Sequence, residues 1–138
     1  MSNDREDRIK DFHIAFGLDV YSDPTVGLLK LRRTLIDEEV RELFIEIDTA
    51  IEHLEKGETV RSDVYCNMLK ELADVQVVIS GASVALKPLR KFEEAFKRVH
   101  ESNMSKLGIN GKPIYREDGK VLKGPNYSPP DLSDLIST

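Results

Sequence analysis

The sequence predicts an all-α protein: an antiparallel helix bundle that runs into an irregular C-terminal hairpin arm. Three observations support this. Apolar residues recur at three- and four-residue spacing from residue 25 to 55, at Leu28, Leu31, Leu35, Ile36, Leu43, Ile47, Ile51 and Leu54. Two more long helical patterns follow, set apart by Gly57 and by Lys87-Pro88. Beyond Gly108 the periodicity stops and glycine, proline and charged residues take over.

Taken in order, residues 4–16 read as a short helix stopped by Gly17, and GLDVYSDP reads as a loop. Pro24 suits the position just before a helix or its first turn. The next helix spans 25–55 and ends at Gly57. Ser62 or Asp63 is the expected cap of a third helix that runs to about Leu86. Lys87-Pro88 breaks it, since proline disfavours helix in the preceding residue. A fourth helix is expected from about Leu89 to Leu107, with Gly108 as its stop. Asp118-Gly119 then signals a hairpin, and Asp131 to Ile136 a last helical turn. The domain reading is a helical, site-bearing part over 1–107 with an arm of the same domain over 108–138. A helix over 25–55 would be about 46 Å long, against a diameter of about 37 Å for a compact chain of this size. That excess predicts a homo-oligomer, a dimer or a tetramer.

Composition narrows the function classes. The 138 residues carry a net charge of −5, with 40% apolar and 33% charged residues. An acidic balance speaks against nonspecific nucleic-acid binding. No apolar run approaches the roughly 18 residues of a membrane span, and the charged N-terminus has no signal-peptide core. The single Cys66 cannot form an internal disulfide, fits a reducing, cytoplasmic setting and is expected as core filler.

The chemistry lies in the carboxylates. With Leu35 at zero and about 100° per residue, Leu28, Leu31, Glu39, Glu42 and Glu46 all fall within about 40° of it, with Glu38 at the edge. These acids continue the line of core-facing leucines. On the next helix, Glu71 and Asp74 are one turn apart and share a face with Val64, Val75, Val78 and Ala82. An ionised carboxylate in such surroundings needs a partner or a metal, and crossing the two helices would gather four oxygen ligands. All-oxygen sets suit Mg²⁺ or Mn²⁺ rather than structural zinc. The competing reading is a set of cross-helix salt bridges to Arg32, Arg33 or Arg41. On the fourth helix Asn103 interrupts the stripe Phe92, Phe96, Val99 and Leu107, with Lys106 one turn on. Asn103 reads as a core amide or a ligand, and Lys106 as a charge on the helix C-terminus or a phosphate contact. Phe12, His13 and Phe16 read as helix packing, or as stacking and hydrogen-bonding groups for a base.

The spacing E39-x-x-E42, 28 residues, E71-x-x-D74 resembles the all-α nucleoside triphosphate pyrophosphohydrolases, which include MazG-like proteins, dimeric dUTPases and phosphoribosyl-ATP pyrophosphohydrolases. S102-N-M-S-K106 and the tail DGKVLKGPNYSPPDL are similar to the single-domain MazG-like members, so the resemblance covers about residues 28 to 132. It implies that Glu39, Glu42, Glu71 and Asp74 hold two or more Mg²⁺ or Mn²⁺ ions. It also implies hydrolysis of a nucleoside triphosphate, dUTP or a purine deoxynucleotide such as dGTP, to the monophosphate and pyrophosphate, for nucleotide-pool control. Glu38 is implied as the group that positions or deprotonates water, beside Glu39, or that holds another metal. Asn103, Lys106, Lys123 and Tyr127 are implied as substrate contacts. The alternatives are phosphoribosyl-ATP hydrolysis on the same fold and a non-enzymatic helical oligomerisation module.

Overall fold

The computed structural model describes residues 4–136. Its α-helices are α1 (Asp4–Ala15), α2 (Val26–Glu55), α3 (Ser62–Ala85), α4 (Phe92–Met104) and α5 (Ser133–Ile136), with a 3₁₀ turn at Lys87–Leu89. The all-α bundle class is met: among the described residues there are two isolated β-bridges, Ser22 with Leu86 and Tyr115 with Val121, and no longer strand. The chain divides into two compact units between Arg90 and Lys91.

In the first unit, Thr25 fixes the start of α2. Its backbone is extended, and its side-chain oxygen accepts from the Leu28 N–H at 3.0 Å, satisfying one of the free donors of the first turn. The other end closes on Gly57. Its φ of +74° lets the Gly57 N–H reach the Leu54 carbonyl, and the Glu58 N–H the His53 carbonyl, both at 3.0 Å, a Schellman ending that suits glycine. Residues 56–61 then return the chain antiparallel as α3. Ser62 is not the cap but the first helical residue, and Arg61 holds the capping position without a side-chain bond. The Asp63 carboxylate is taken by the Arg61 guanidinium at 3.1 Å and acts on the helix dipole instead.

α3 packs against α2 on one side and α1 on the other. Small side chains make this approach possible: Ser80, Gly81, Ser83 and Ala85 are buried, with Val78 and Val84. Ser83 Oγ donates to Glu6 of α1 at 2.7 Å. The loop after α1 is tied back twice. His13, buried, bonds through Nδ1 to the Asp19 carbonyl at 2.7 Å. The N–H groups of Tyr21 and Ser22 donate to the Val84 and Ala85 carbonyls at 2.7 and 2.8 Å, filling acceptors left open where α3 ends. His13 is thus a loop-holding residue, while Phe12 and Phe16 stay exposed with their rings 4.6 Å apart.

Two expectations change here. The third helix is apolar almost all round, a pattern that predicts a central bundle helix, but Tyr65, Leu69 and Leu72 are exposed. Cys66 lies among them and is exposed rather than core filler; about 200° of helix separates it from buried Val64.

The second unit is built on α4, which is shorter than expected at both ends. Pro88 opens a 3₁₀ turn in place of the first helical turn, and the chain leaves the helix after Met104. Its working face is polar. Arg98 holds Asp134 of α5 at 2.5 and 3.1 Å and the Asp131 carbonyl at 3.0 Å, and buried Ser102 donates to the Ser128 carbonyl at 2.7 Å. The stripe containing Phe96, Val99 and Asn103 is exposed instead. The arm is a minimal hairpin, with the Leu122 N–H on the Ile114 carbonyl and the Arg116 N–H on the Lys120 carbonyl, both at 2.8 Å. Gly119, at φ +89°, turns it. The Gly124 N–H donates to the Lys106 carbonyl at 2.8 Å, so close that a Cβ there would lie 2.5 Å from the Leu107 carbonyl oxygen. No helix among the described residues is long and apolar enough to cross a membrane.

Candidate metal centre

The antiparallel pairing of α2 and α3 sets which side chains meet. Arg32 lies against Gly81. Moving from there towards the 56–61 connection, α2 numbers rise as α3 numbers fall. That register brings Glu39 and Glu42 opposite Asp74 and Glu71. Carboxylate oxygens of Glu39, Glu42 and Glu71 all lie within 4.8 Å of one another. Glu71 is sunk, with its side chain 12% exposed; Glu39 is half-buried and Glu42 faces solvent. The cluster therefore has two recessed ligands and one open side.

The electrostatics are unbalanced. Glu39 Oε2 and Glu71 Oε2 are both buried without a hydrogen-bond donor. Burial pushes the Glu39 carboxyl above its ordinary range, and the charges of Glu42, Asp74 and Glu71 push it further, as does a hydrogen bond to Glu42. A buried carboxylate oxygen facing other carboxylates costs several kcal/mol unless a cation answers it. Three converging oxygens from two helices, with an open side for water or substrate, match what a hard divalent cation takes. The absence of His and Cys from this cluster argues against zinc. The residues present therefore fit a Mg²⁺- or Mn²⁺-like ion.

Asp74 stands at the edge of the group. Its carboxylate receives Lys70 Nζ at 2.7 Å, and the same ammonium lies 3.5 Å from Glu71 Oε1. The hydrogen bond to Asp74, then the charges of Asp74 and Glu71, hold the Lys70 ammonium above its ordinary range. Lys70 was not among the site residues expected from the sequence; its signal there is the i,i+4 spacing to Asp74. Of the arginines expected as ionic partners, Arg41 pairs with Asp37 at 3.1 Å. Among the described residues none of Arg32, Arg33 and Arg41 forms an ion pair with Glu39, Glu42, Glu71 or Asp74. Glu38 is exposed on α2.

The remaining expected site residues belong to the second unit. Asn103 is exposed near the end of α4, and Lys106 is half-buried just past it. Lys123 and Tyr127 form a pair, with the Lys123 ammonium 4.8 Å from the centre of the Tyr127 ring, a cation–π arrangement.

Comparison of the chain with protein-family models finds no match, and comparison with curated proteins finds none either. The functional reading accordingly rests on the carboxylate geometry and on the motif spacing.

Proposed function

We propose that the protein is a divalent-metal-dependent nucleoside triphosphate pyrophosphohydrolase that cleaves between the α and β phosphates, releasing a monophosphate and pyrophosphate. The observation that carries the metal part is the pair of buried, donor-less oxygens, Glu39 Oε2 and Glu71 Oε2, on facing helices. The substrate class is supported by the resemblance of E39-x-x-E42…E71-x-x-D74 and S102-N-M-S-K106 to the MazG-like enzymes.

On this reading Glu39, Glu42 and Glu71 hold Mg²⁺ or Mn²⁺, and Asp74 completes the set for a second ion once Lys70 moves off it. Bound there, such ions would supply charge neutralisation for phosphate oxygens and a more acidic water. Glu38, beside the cluster and exposed, orients or deprotonates that water. Asn103, Lys106, Lys123 and Tyr127 are proposed as triphosphate contacts on the strength of the resemblance alone. Exposed Phe44, Ile45, Leu54, Leu69 and Leu72 support a homodimer or homotetramer.

A second reading has one observation in its favour. Lys70 neutralises Asp74 and part of Glu71, as it would in a helical oligomerisation module with no activity. One experiment separates the two. Pyrophosphate release is measured with Mg²⁺ or Mn²⁺ across the deoxy- and ribonucleoside triphosphates, for the native protein and for Glu71→Gln. The enzyme reading expects equimolar monophosphate and pyrophosphate, lost in Glu71→Gln. Release of orthophosphate and diphosphate would refute the bond assignment. Inactivity together with a melting temperature indifferent to Mg²⁺ and Mn²⁺ would leave the module.

A further inference from the structure

Arg32 is a buried charge without an ion-pair partner among the described residues. It is 7% exposed, its Nε has no acceptor, and no carboxylate among the described residues forms an ion pair with it. Asp19 influences it only through the field of its charge. A guanidinium cannot shed its proton to escape such a place, and each buried N–H left without an acceptor is costly. The chain nonetheless makes room for it. Gly81 lies against it, and a Cβ at that position would stand 2.6 Å from Arg32 Nη2.

Arg32 also lines a groove of about 460 Å³ between α2 and α3, walled by Leu29, Ile36, Val40, Ala82 and Leu86. Arg33 and Asp37 line it as well, so apolar walls meet a few charged groups, of which Arg32 is the buried one, the character of a small-molecule subsite. Its position is informative. Arg32 precedes Glu39 by two turns on the same face of α2, about 10 Å along the helix axis. That is the order of separation between a nucleotide's phosphates and the far edge of its base.

We infer that Arg32 is a specificity residue, seating the base of the substrate in this groove and selecting guanine over adenine. The inference rests on the nucleotide-hydrolysing reading of the carboxylate cluster. The chemistry is that of a donor-only fork. Guanine presents two adjacent acceptors, O6 and N7, which two parallel guanidinium N–H groups satisfy together. Adenine puts an amino donor where O6 would be, so donor meets donor. Asp37, on the same groove, offers an acceptor for the N–H groups on guanine's other edge.

The test compares kcat/KM for dGTP and dATP in Mg²⁺. The native protein is expected to prefer dGTP by at least about tenfold, the scale of one bidentate pair. Arg32→Met should bring the ratio close to one. Gly81→Ala keeps the charge and favours helix, yet its Cβ must displace the fork, so the ratio should fall there too. A native ratio near or below one, or a ratio unchanged in both variants, overturns the inference. Should Arg32→Met fail to fold, Gly81→Ala decides. Binding of dGMP and dAMP, followed by chemical-shift titration with Mg²⁺ present, needs no turnover. Tighter dGMP binding that is lost in the variants supports the inference even if no triphosphate is hydrolysed, and that pairing refutes the hydrolytic reading alone. Equal or absent binding of the two overturns the inference itself.

Discussion

Replacing Glu39 by Gln removes one negative charge from a place where three carboxylate oxygens lie within 4.8 Å of one another. At that distance a pair of unit charges repels by about 3.5 kcal/mol at an effective dielectric of about 20, and by about 1 kcal/mol in water. Glu39 is half-buried, and Lys70 offsets part of the field. The relief should therefore fall between the two limits, at about 1–3 kcal/mol. In a chain this size that corresponds to a rise in Tm of about 4–12 °C. The amide also brings an N–H donor to oxygens that lack one. The assay is thermal unfolding by circular dichroism in EDTA, repeated with increasing Mn²⁺. Metal-free Glu39→Gln should melt higher than the native protein. The order should then reverse as Mn²⁺ rises, since a ligand at 100 times its Kd adds about 2.7 kcal/mol to the protein that binds it and the variant has lost a ligand. A variant that melts lower in EDTA would show that Glu39 is a satisfied structural acceptor. An equal Mn²⁺ response in both proteins would remove Glu39 from the metal site.

Other outcomes follow from the same geometry. Folding raises the Glu39 pKa above its ordinary 4.5, so the native state binds this proton more tightly than the unfolded state. Its contribution to stability thus declines as pH rises from 4.5 through the raised value. In EDTA the advantage of Glu39→Gln should be near zero below pH 4.5 and grow through that window; an advantage independent of pH would contradict the assignment. Lys70→Met removes the cation that competes at Asp74. Because Lys70 is largely exposed, solvent screens the pair and it contributes little, and Mn²⁺ titration should show metal binding up to about fivefold tighter; weaker binding would make Lys70 a support of the site. Light scattering after size exclusion should report a dimer or tetramer, and a monomer at micromolar concentration would leave the exposed leucines of α3 unexplained.

Much of this was readable from the sequence, for a physical reason. Helix ends depend on local chemistry, so Pro24 and Gly57 placed α2 within a residue. The seam was legible because the inward face of α2 is set by a 3.6-residue period, which put Glu39 in line with Leu28 and opposite the valines of α3. What periodicity cannot supply is the identity of the neighbour. Cross-helix pairs to Arg32, Arg33 or Arg41 were the competing expectation, yet the cation in place is Lys70, on the same helix as Glu71 and Asp74. α4 was assigned its apolar stripe as the buried face, but Arg98 and Ser102 bind the tail through the polar face. Those contacts are with residues 26 to 36 positions away, beyond any local pattern. Arg32 is the sharpest case. The sequence offered it as a cross-helix ion-pair partner of the carboxylates, whereas it lies against Gly81 of another helix, which leaves space for it.

The clasp between the Gly124 amide and the Lys106 carbonyl divides the second unit into a part that tolerates change and a part that does not. Residues 109–123 leave and re-enter at one point, and each is exposed. The entropy of closing such a loop grows only with the logarithm of its length, so doubling it costs about 0.6 kcal/mol. A peptide tag or fluorophore acceptor inserted at the Gly111 or Gly119 turn would barely disturb folding. The clasp itself has no such latitude, because any side chain at 124 collides with the carbonyls of residues 106 and 107. Engineering of this segment thus has its attachment points at the turns and its one fixed letter at position 124.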